Sequence, residues 1–168
     1  MNFDGIGRWL GRRKFREAVW LFPPAFLLHV LEEAPQFTAW VRHYASAQFT
    51  PQDFLRNNGL GVLLGIVLTA LVSRWPNRGV VTLYFAAILT QDCVFNALFH
   101  IATTALYGAY SPGLITSLVV RPPLYAYLSR LAWRERLLTA PAAALSFTAA
   151  GLIHAAVVAQ QVYFVRVF

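Results

Sequence analysis

Residues 20–33 read WLFPPAFLLHVLEE, a run that is apolar or proline as far as His29 and then ends on two carboxylates. Such runs are typical of membrane helices, and the proline pair predicts either a kinked span or an interfacial helix followed by a half-span. Glu32 and Glu33 follow His29 by three and four residues, so both carboxylates are expected beside the imidazole on one helix face. Because ionisable side chains are costly inside a membrane, the stretch predicts one wall of a polar pocket.

The composition of the whole chain agrees with a membrane protein. Of the 168 residues, 58% are hydrophobic and only 12% are charged, and the mean hydropathy is +0.52. These values exclude an ordinary soluble domain of this length and predict a single transmembrane helical domain over residues 1–168. The one cysteine, Cys93, cannot form an internal disulfide and is expected to be a buried small side chain.

Apolar runs long enough to cross a bilayer predict an all-α bundle of about five transmembrane helices. The predicted spans are residues 15–34, 58–72, 79–107, 113–133 and 140–165. The second is short for a span. Residues 35–53 are expected to form a polar and aromatic outer loop along the membrane interface.

The basic residues predict the orientation of this bundle. The net charge is +7, which would suggest a nucleic-acid partner in a soluble protein. Here most Lys and Arg residues fall into three segments that the span assignment places on one side, so the charge is interpreted as an orientation signal and no nucleic-acid partner is expected. Those residues are Arg8, Arg12, Arg13, Lys14, Arg16, Arg74, Arg78, Arg130, Arg134 and Arg136. The distribution predicts a cytoplasmic N-terminus in a plasma membrane, the bacterial inner membrane.

Further polar side chains lie inside the other apolar spans. Asp92, Asn96 and His100 follow one another at i+4 steps on the third span and form one stripe. Arg121 lies on the fourth span and His154 on the fifth. Counted from the ends of their spans, these groups fall in the middle and outer half of the bilayer, so they are expected to converge on one pocket.

The ordered set of motifs resembles the HXXEE-domain family of bacterial integral membrane proteins. The set comprises His29-x-x-Glu32-Glu33, Asn96-x-x-x-His100, YSPGLITS over residues 110–117, and a lone His154. That family has no assigned activity, so the resemblance implies a shared polar site and little about the substrate. The arrangement is also similar in logic to CAAX-type intramembrane proteases, but Phe37 and Val158 stand where their motifs have Arg and Asn, which argues against protease activity.

The residue types favour a metal-dependent intramembrane enzyme. Three imidazoles and a carboxylate, from His29, Glu33, His100 and His154, are a suitable ligand set for a divalent metal, with zinc preferred over iron. Glu32, the other member of the carboxylate pair, is the candidate general base, with Glu33 and Asn96 in or beside the site. Arg121 either binds a phosphate or carboxylate of the substrate or neutralises Asp92. The expected reaction is hydrolysis of a lipid or isoprenoid-type substrate.

Two alternatives remain open from the sequence. A Glu with a raised pKa and a His could move protons on a sterol or terpene without metal, which would make the protein an isomerase or cyclase. The polar stripe could also bind a ligand or ion without turnover. The sequence does not indicate the oligomeric state.

Overall fold

The computed structural model describes residues 13–163, with side chains described through residue 161. Every regular element in that range is helical. The helices are α1 (Phe15–Ala18), a 3-10 turn (Val19–Leu21), α2 (Phe22–Glu33), α3 (Phe37–Tyr44), α4 (Pro51–Arg74), α5 (Arg78–Tyr84), two π-helical segments (Phe85–Leu89 and Gln91–Asn96), α6 (Ala97–Tyr107), α7 (Leu114–Val119), α8 (Arg121–Arg134) and α9 (Ala140–Tyr163). The predicted all-α class is confirmed. Arg8, Arg12, Arg166 and the end of the fifth predicted span lie outside the described residues.

Three helices within the described residues are long and apolar enough to cross a membrane. They are Pro51–Arg74, Arg78–Tyr107 and Ala140–Gln161. The second predicted span was too short, because the helix already begins at Pro51. There Thr50 accepts a hydrogen bond from the Asp53 amide, and Asp53 accepts one from the Thr50 amide, which is a capping box.

The first and fourth predicted spans are helical but interrupted. The first contains the 3-10 turn Val19–Leu21 directly before the Pro23-Pro24 pair. The fourth is divided into α7 and α8 at Val120, just before Pro122-Pro123. Proline lacks the amide proton and crowds the preceding turn, so each pair begins a new helix instead of continuing the old one.

Two apolar clusters position the helices. The larger one packs α1, α2, α4, α5 and α8 around buried side chains such as Phe15, Phe22 and Leu128. The smaller one contains Phe37 and Trp40 of α3. Residues 35–53, predicted as a loop, therefore contain the helix α3, and the Phe37, Trp40 and Phe49 side chains of this segment are buried. The Phe37 ring also packs against the His100 ring.

Candidate metal and acid-base site

Two histidines and one glutamate meet in the interior of the bundle. Glu33 Oε1 lies 3.2 Å from His29 Nε2 and 3.3 Å from His100 Nε2. All three side chains are buried, at 5% exposure or less. We call His29, Glu33 and His100 the histidine–glutamate cluster; among the described residues it is a group whose ligand atoms, all within 4.8 Å of one another, could hold a metal ion.

The other nitrogen of each imidazole is held by a hydroxyl group. His29 Nδ1 lies 2.7 Å from Thr116 Oγ1, and His100 Nδ1 lies 3.0 Å from Ser111 Oγ. Thr116 Oγ1 also donates to the Gly113 carbonyl oxygen at 3.2 Å. The Thr116 hydroxyl has one proton, which it donates to Gly113, so it accepts the hydrogen bond from His29 Nδ1–H. In this neutral tautomer His29 Nε2 carries no proton, and its lone pair faces Glu33.

The contact between His100 and Glu33 is close but is not an aligned hydrogen bond. His100 Nε2 is buried and has no hydrogen-bond partner among the described residues, although Glu33 Oε1 is 3.3 Å away. Two ligand atoms of a tetrahedral zinc ion, each about 2.0 to 2.2 Å from the metal, lie roughly 3.3 to 3.6 Å apart. The separations from Glu33 to the two imidazoles, 3.2 and 3.3 Å, are close to the lower end of this range.

Gly113 supports both imidazole rings from behind. Its φ is +103°, a conformation that favours glycine. A Cβ atom at this position would overlap with His29 Cε1 and would lie 2.8 Å from His100 Cε1. The backbone of the α6–α7 connection thus fixes how close the two rings come to each other.

Glu32 does not face the cluster. Its carboxylate accepts hydrogen bonds from the backbone amides of Ile115, at 2.9 Å, and Thr116, at 2.8 Å, and from the Tyr110 hydroxyl. Burial, followed by the proximity of Glu32, raises the pKa of Tyr110 to about 12, so this hydroxyl remains a donor at neutral pH. Glu32 and His29 both bind Thr116, but of the two carboxylates only Glu33 reaches the imidazoles, because consecutive helical residues diverge by about 100°. Glu32 instead anchors the connection that carries Ser111 and Gly113.

Arg121 is engaged within the protein. Its guanidinium is buried and lies 2.5 Å from Asp92 Oδ1, and it also donates to Ser117 Oγ. With the Asn96 amide oriented to place its oxygen toward Arg121, that oxygen accepts two hydrogen bonds at 2.9 and 3.1 Å. Of the two roles expected for Arg121, the neutralisation of Asp92 is the one that this geometry supplies. Through Arg121, Asn96 is held beside His29.

The structure does not bring His154 into the cluster. Its Nδ1 lies 3.1 Å from Gln91 Nε2 on the neighbouring π-helical segment. The predicted fourth ligand is thus separated from the three others, because α9 packs on the face of the third span that carries Gln91 and Phe95 and not on the face that carries His100. The Phe99 ring packs against the rings of both His100 and His154.

A cavity of about 340 Å³ opens beside these groups. Glu33, Asp92, Asn96 and His154 contribute to its wall, while much of the remaining surface is apolar, including Phe26, Leu64, Ile88 and Val157. More polar side chains line it as well: Arg56, Asn57, Asn58, Gln91, Gln160 and Gln161. Four of the predicted polar residues therefore face one cavity, and Glu33 is the member of the histidine–glutamate cluster that lines it.

The sequence interpretation did not assign roles to Ser111, Gly113 and Thr116. All three lie in the YSPGLITS segment, which had been noted only as part of the resemblance. The composition of the segment does indicate such a role, because five of its residues carry a hydroxyl or are glycine. The segment lies between two apolar helices, where small polar groups can reach buried imidazoles.

Comparison with known proteins supports the family and nothing more specific. No curated protein and no solved structure matches the chain. One family model does match it, over residues 20–128, and its description is "Protein of unknown function with HXXEE motif". The matched region contains the whole histidine–glutamate cluster and the connection that supports it, but ends before His154. Since this match spans more than half of the chain, the protein belongs to the HXXEE family.

Proposed function

We propose that the protein is a membrane-embedded, zinc-dependent hydrolase whose metal is held by His29, Glu33 and His100. The observation that carries the proposal is the buried Nε2 atom of His100, which lies 3.3 Å from Glu33 Oε1 without forming a hydrogen bond. A buried polar atom without a partner is costly, and a cation between the three ligand atoms would remove that cost. Two imidazoles and one carboxylate bind catalytic zinc and also non-haem iron(II), and we propose zinc because hydrolysis needs a Lewis acid and no redox chemistry.

The electrostatics of the site support the same conclusion. Asp92 is offset by Arg121, which leaves Glu33 as the buried carboxylate whose charge has no fixed cation beside it. A divalent ion would offset this charge, and its open coordination position would lower the pKa of a bound water to about 7. Asn96, held by Arg121, would present its amide N–H groups to an oxygen of the substrate.

The cavity supports a lipid or isoprenoid-type substrate. Its largely apolar wall would bind a hydrocarbon chain, while Glu33 brings the cluster to the wall that also carries Asp92, Asn96 and His154. The volume of about 340 Å³ is at the lower end of ligand pockets, so the cavity would enclose the reactive part of the substrate and not a whole two-chain lipid.

Elemental analysis of the purified chain tests the metal. We expect about one equivalent of zinc in the wild type, and its loss in His29→Ala, His100→Ala and Glu33→Gln. His43→Ala is the matched control, because His43 is exposed on α3 and should leave the metal content unchanged. Retention of zinc in all three cluster variants would place the ligands elsewhere and refute the assignment.

Metal-free acid-base chemistry is the second candidate, and it is favoured by the distance of 3.2 Å between His29 Nε2 and Glu33 Oε1. If a proton and not a metal lies between these atoms, the pair could donate a proton to a sterol or terpene and accept one from it, as an isomerase or cyclase does. The two candidates differ in one measurement: a chelated, zinc-free protein keeps its turnover of lipid substrate only in the acid-base case.

We further propose that the chain lies in a bacterial inner membrane with its N-terminus in the cytoplasm, as the basic residues indicate. Cysteines introduced at Ser46, between α3 and α4, and at Asn77, between α4 and α5, test the orientation. Cys93 is buried and gives little background. An impermeant thiol reagent should label position 46 from outside and position 77 only after the membrane is opened; the reverse pattern would invert the topology.

A further inference from the structure

His154 and Gln91 form a second polar pair on the wall of the cavity. Gln91 Nε2 lies 3.1 Å from His154 Nδ1, and an amide nitrogen donates hydrogen bonds, so Nδ1 is the acceptor. The proton of the neutral imidazole is then on Nε2. That atom is buried and has no hydrogen-bond partner among the described residues, although the side chain lines the cavity.

An unpartnered N–H donor in such a place suits an acceptor that the ligand brings. Burying a donor without a partner costs about 1 to 3 kcal/mol, and an oxygen of a bound ligand would recover this cost. The donor belongs to a neutral ring flanked by Phe95 and Phe99, which provide an apolar surrounding. An uncharged acceptor can enter these surroundings with less desolvation than an anion.

The charges around the cavity also provide too little positive charge to neutralise a doubly charged anion. Two carboxylates, Glu33 and Asp92, line it, and Arg121 is buried against Asp92. Arg56 lies at the wall but is half exposed and is paired with Asp53 at 3.2 Å. Zinc together with Glu33 would carry a net charge of +1. This charge would offset only about half of the roughly two negative charges that a phosphate monoester carries near neutral pH.

We infer that His154 donates its Nε2–H to an uncharged carbonyl oxygen of the ligand, so that the cavity takes a neutral carbonyl-containing lipid and not a lipid phosphate. This inference deepens the proposed function and rests on it for the identity of the site. His154 is then a substrate-binding group and not a ligand of the metal. The carbonyl would lie between His154 and the histidine–glutamate cluster.

A binding experiment with three long-chain probes of equal length tests the inference: a methyl ketone, the plain hydrocarbon and the alkyl phosphate. The ketone cannot be hydrolysed, so its binding is measured without turnover. For zinc-loaded full chain in detergent, we expect the ketone to bind roughly two- to tenfold more tightly than the hydrocarbon, the range that one hydrogen bond provides. The phosphate should bind more weakly than the ketone.

Variants assign this preference to His154. His154→Phe should abolish the preference for the ketone and keep the zinc, whereas His154→Gln, which retains an N–H donor, should restore part of the preference. His43→Phe is the control for an exposed histidine. The inference is overturned if the phosphate binds most tightly, if His154→Phe keeps the ketone preference, or if His154→Phe loses zinc, which would return His154 to the ligand set.

The proposed function fails independently of this inference. A zinc-free chain with a ketone preference that depends on His154 would refute the metal site and support the carbonyl site. A zinc-loaded chain that hydrolyses a long-chain ester equally well with His154 or Phe at position 154 would support the hydrolase and refute the role of His154.

Discussion

Replacing Gly113 with alanine should weaken zinc binding more than it weakens the fold. The added Cβ would overlap with His29 Cε1 and lie 2.8 Å from His100 Cε1, so at least one ring must move away from the metal position. An alanine at the φ of +103° also costs about 1 to 3 kcal/mol in backbone strain. Loss of a group that orients a metal ligand typically costs 10- to 100-fold in affinity, and we expect a reduction of about that size.

Gly108→Ala separates the two effects. Gly108 is in the same α6–α7 connection, has a φ of +61°, and has no atom within 4 Å of the added Cβ. It should therefore show backbone strain of about 1 to 2 kcal/mol and keep the zinc affinity of the wild type. Competition with a chromophoric chelator measures the affinity, and thermal unfolding of the metal-free protein in detergent measures the strain. Equal zinc affinities for the two variants would refute the role of Gly113.

Variants at three other positions test the groups around the cluster. Thr116→Val removes the hydroxyl that holds His29 and should lower zinc affinity 10- to 100-fold, while Thr116→Ser should not; the same chelator competition measures both. Glu32→Gln weakens three hydrogen bonds, one to Tyr110 in the α6–α7 connection and two to the first turn of α7, and should lower the unfolding free energy by about 1.5 to 3 kcal/mol. Zinc should be retained, and its loss would show that Glu32 is a ligand. Arg121→Met leaves Asp92 buried without a cation and should lower the unfolding free energy by about 3 to 5 kcal/mol. The Arg121→Met, Asp92→Leu double variant removes the buried charge as well and should regain most of that free energy. An equal loss in the single and double variants would contradict this account.

The periodicity of the sequence was sufficient to identify the members of the cluster but not all of their partners. His29 and Glu33 are four residues apart on one helix, so their proximity follows from helix geometry alone. His100 could be added because it continues the i+4 stripe of Asp92 and Asn96 along the third span. His154 was added from its depth in the bilayer, yet depth does not fix the angle at which a side chain points around the helix axis, and α9 directs it to Gln91.

Glu32 and the α6–α7 connection show a second limit of sequence reasoning. The adjacent acids in positions 32 and 33 have equal chemistry, and only the positions of Ile115 and Thr116 reveal that one of them binds backbone amides. These contacts join residues more than 80 positions apart in the chain. No local pattern encodes such a distance, and the glycine at position 113 acquires its meaning only when both rings are in place.

The two π-helical segments, Phe85–Leu89 and Gln91–Asn96, determine how the angular position of His100 depends on the length of the chain before it. A π-helical turn holds one residue more than an α-helical turn can accommodate. Deletion of a single residue there, with the helix tightened to α geometry, would therefore leave the following residues on nearly the same face, because the turn still completes about one rotation. Deletion of one residue from the α-helical stretch at residues 97–99 would instead rotate His100 by about 100° relative to what precedes it. His100 would then leave the face that meets Glu33, and a neighbouring apolar side chain would take its place. A one-residue difference is thus absorbed within the π-helical segments, but directly before His100 it would prevent assembly of the cluster in a chain that retains every one of its residues.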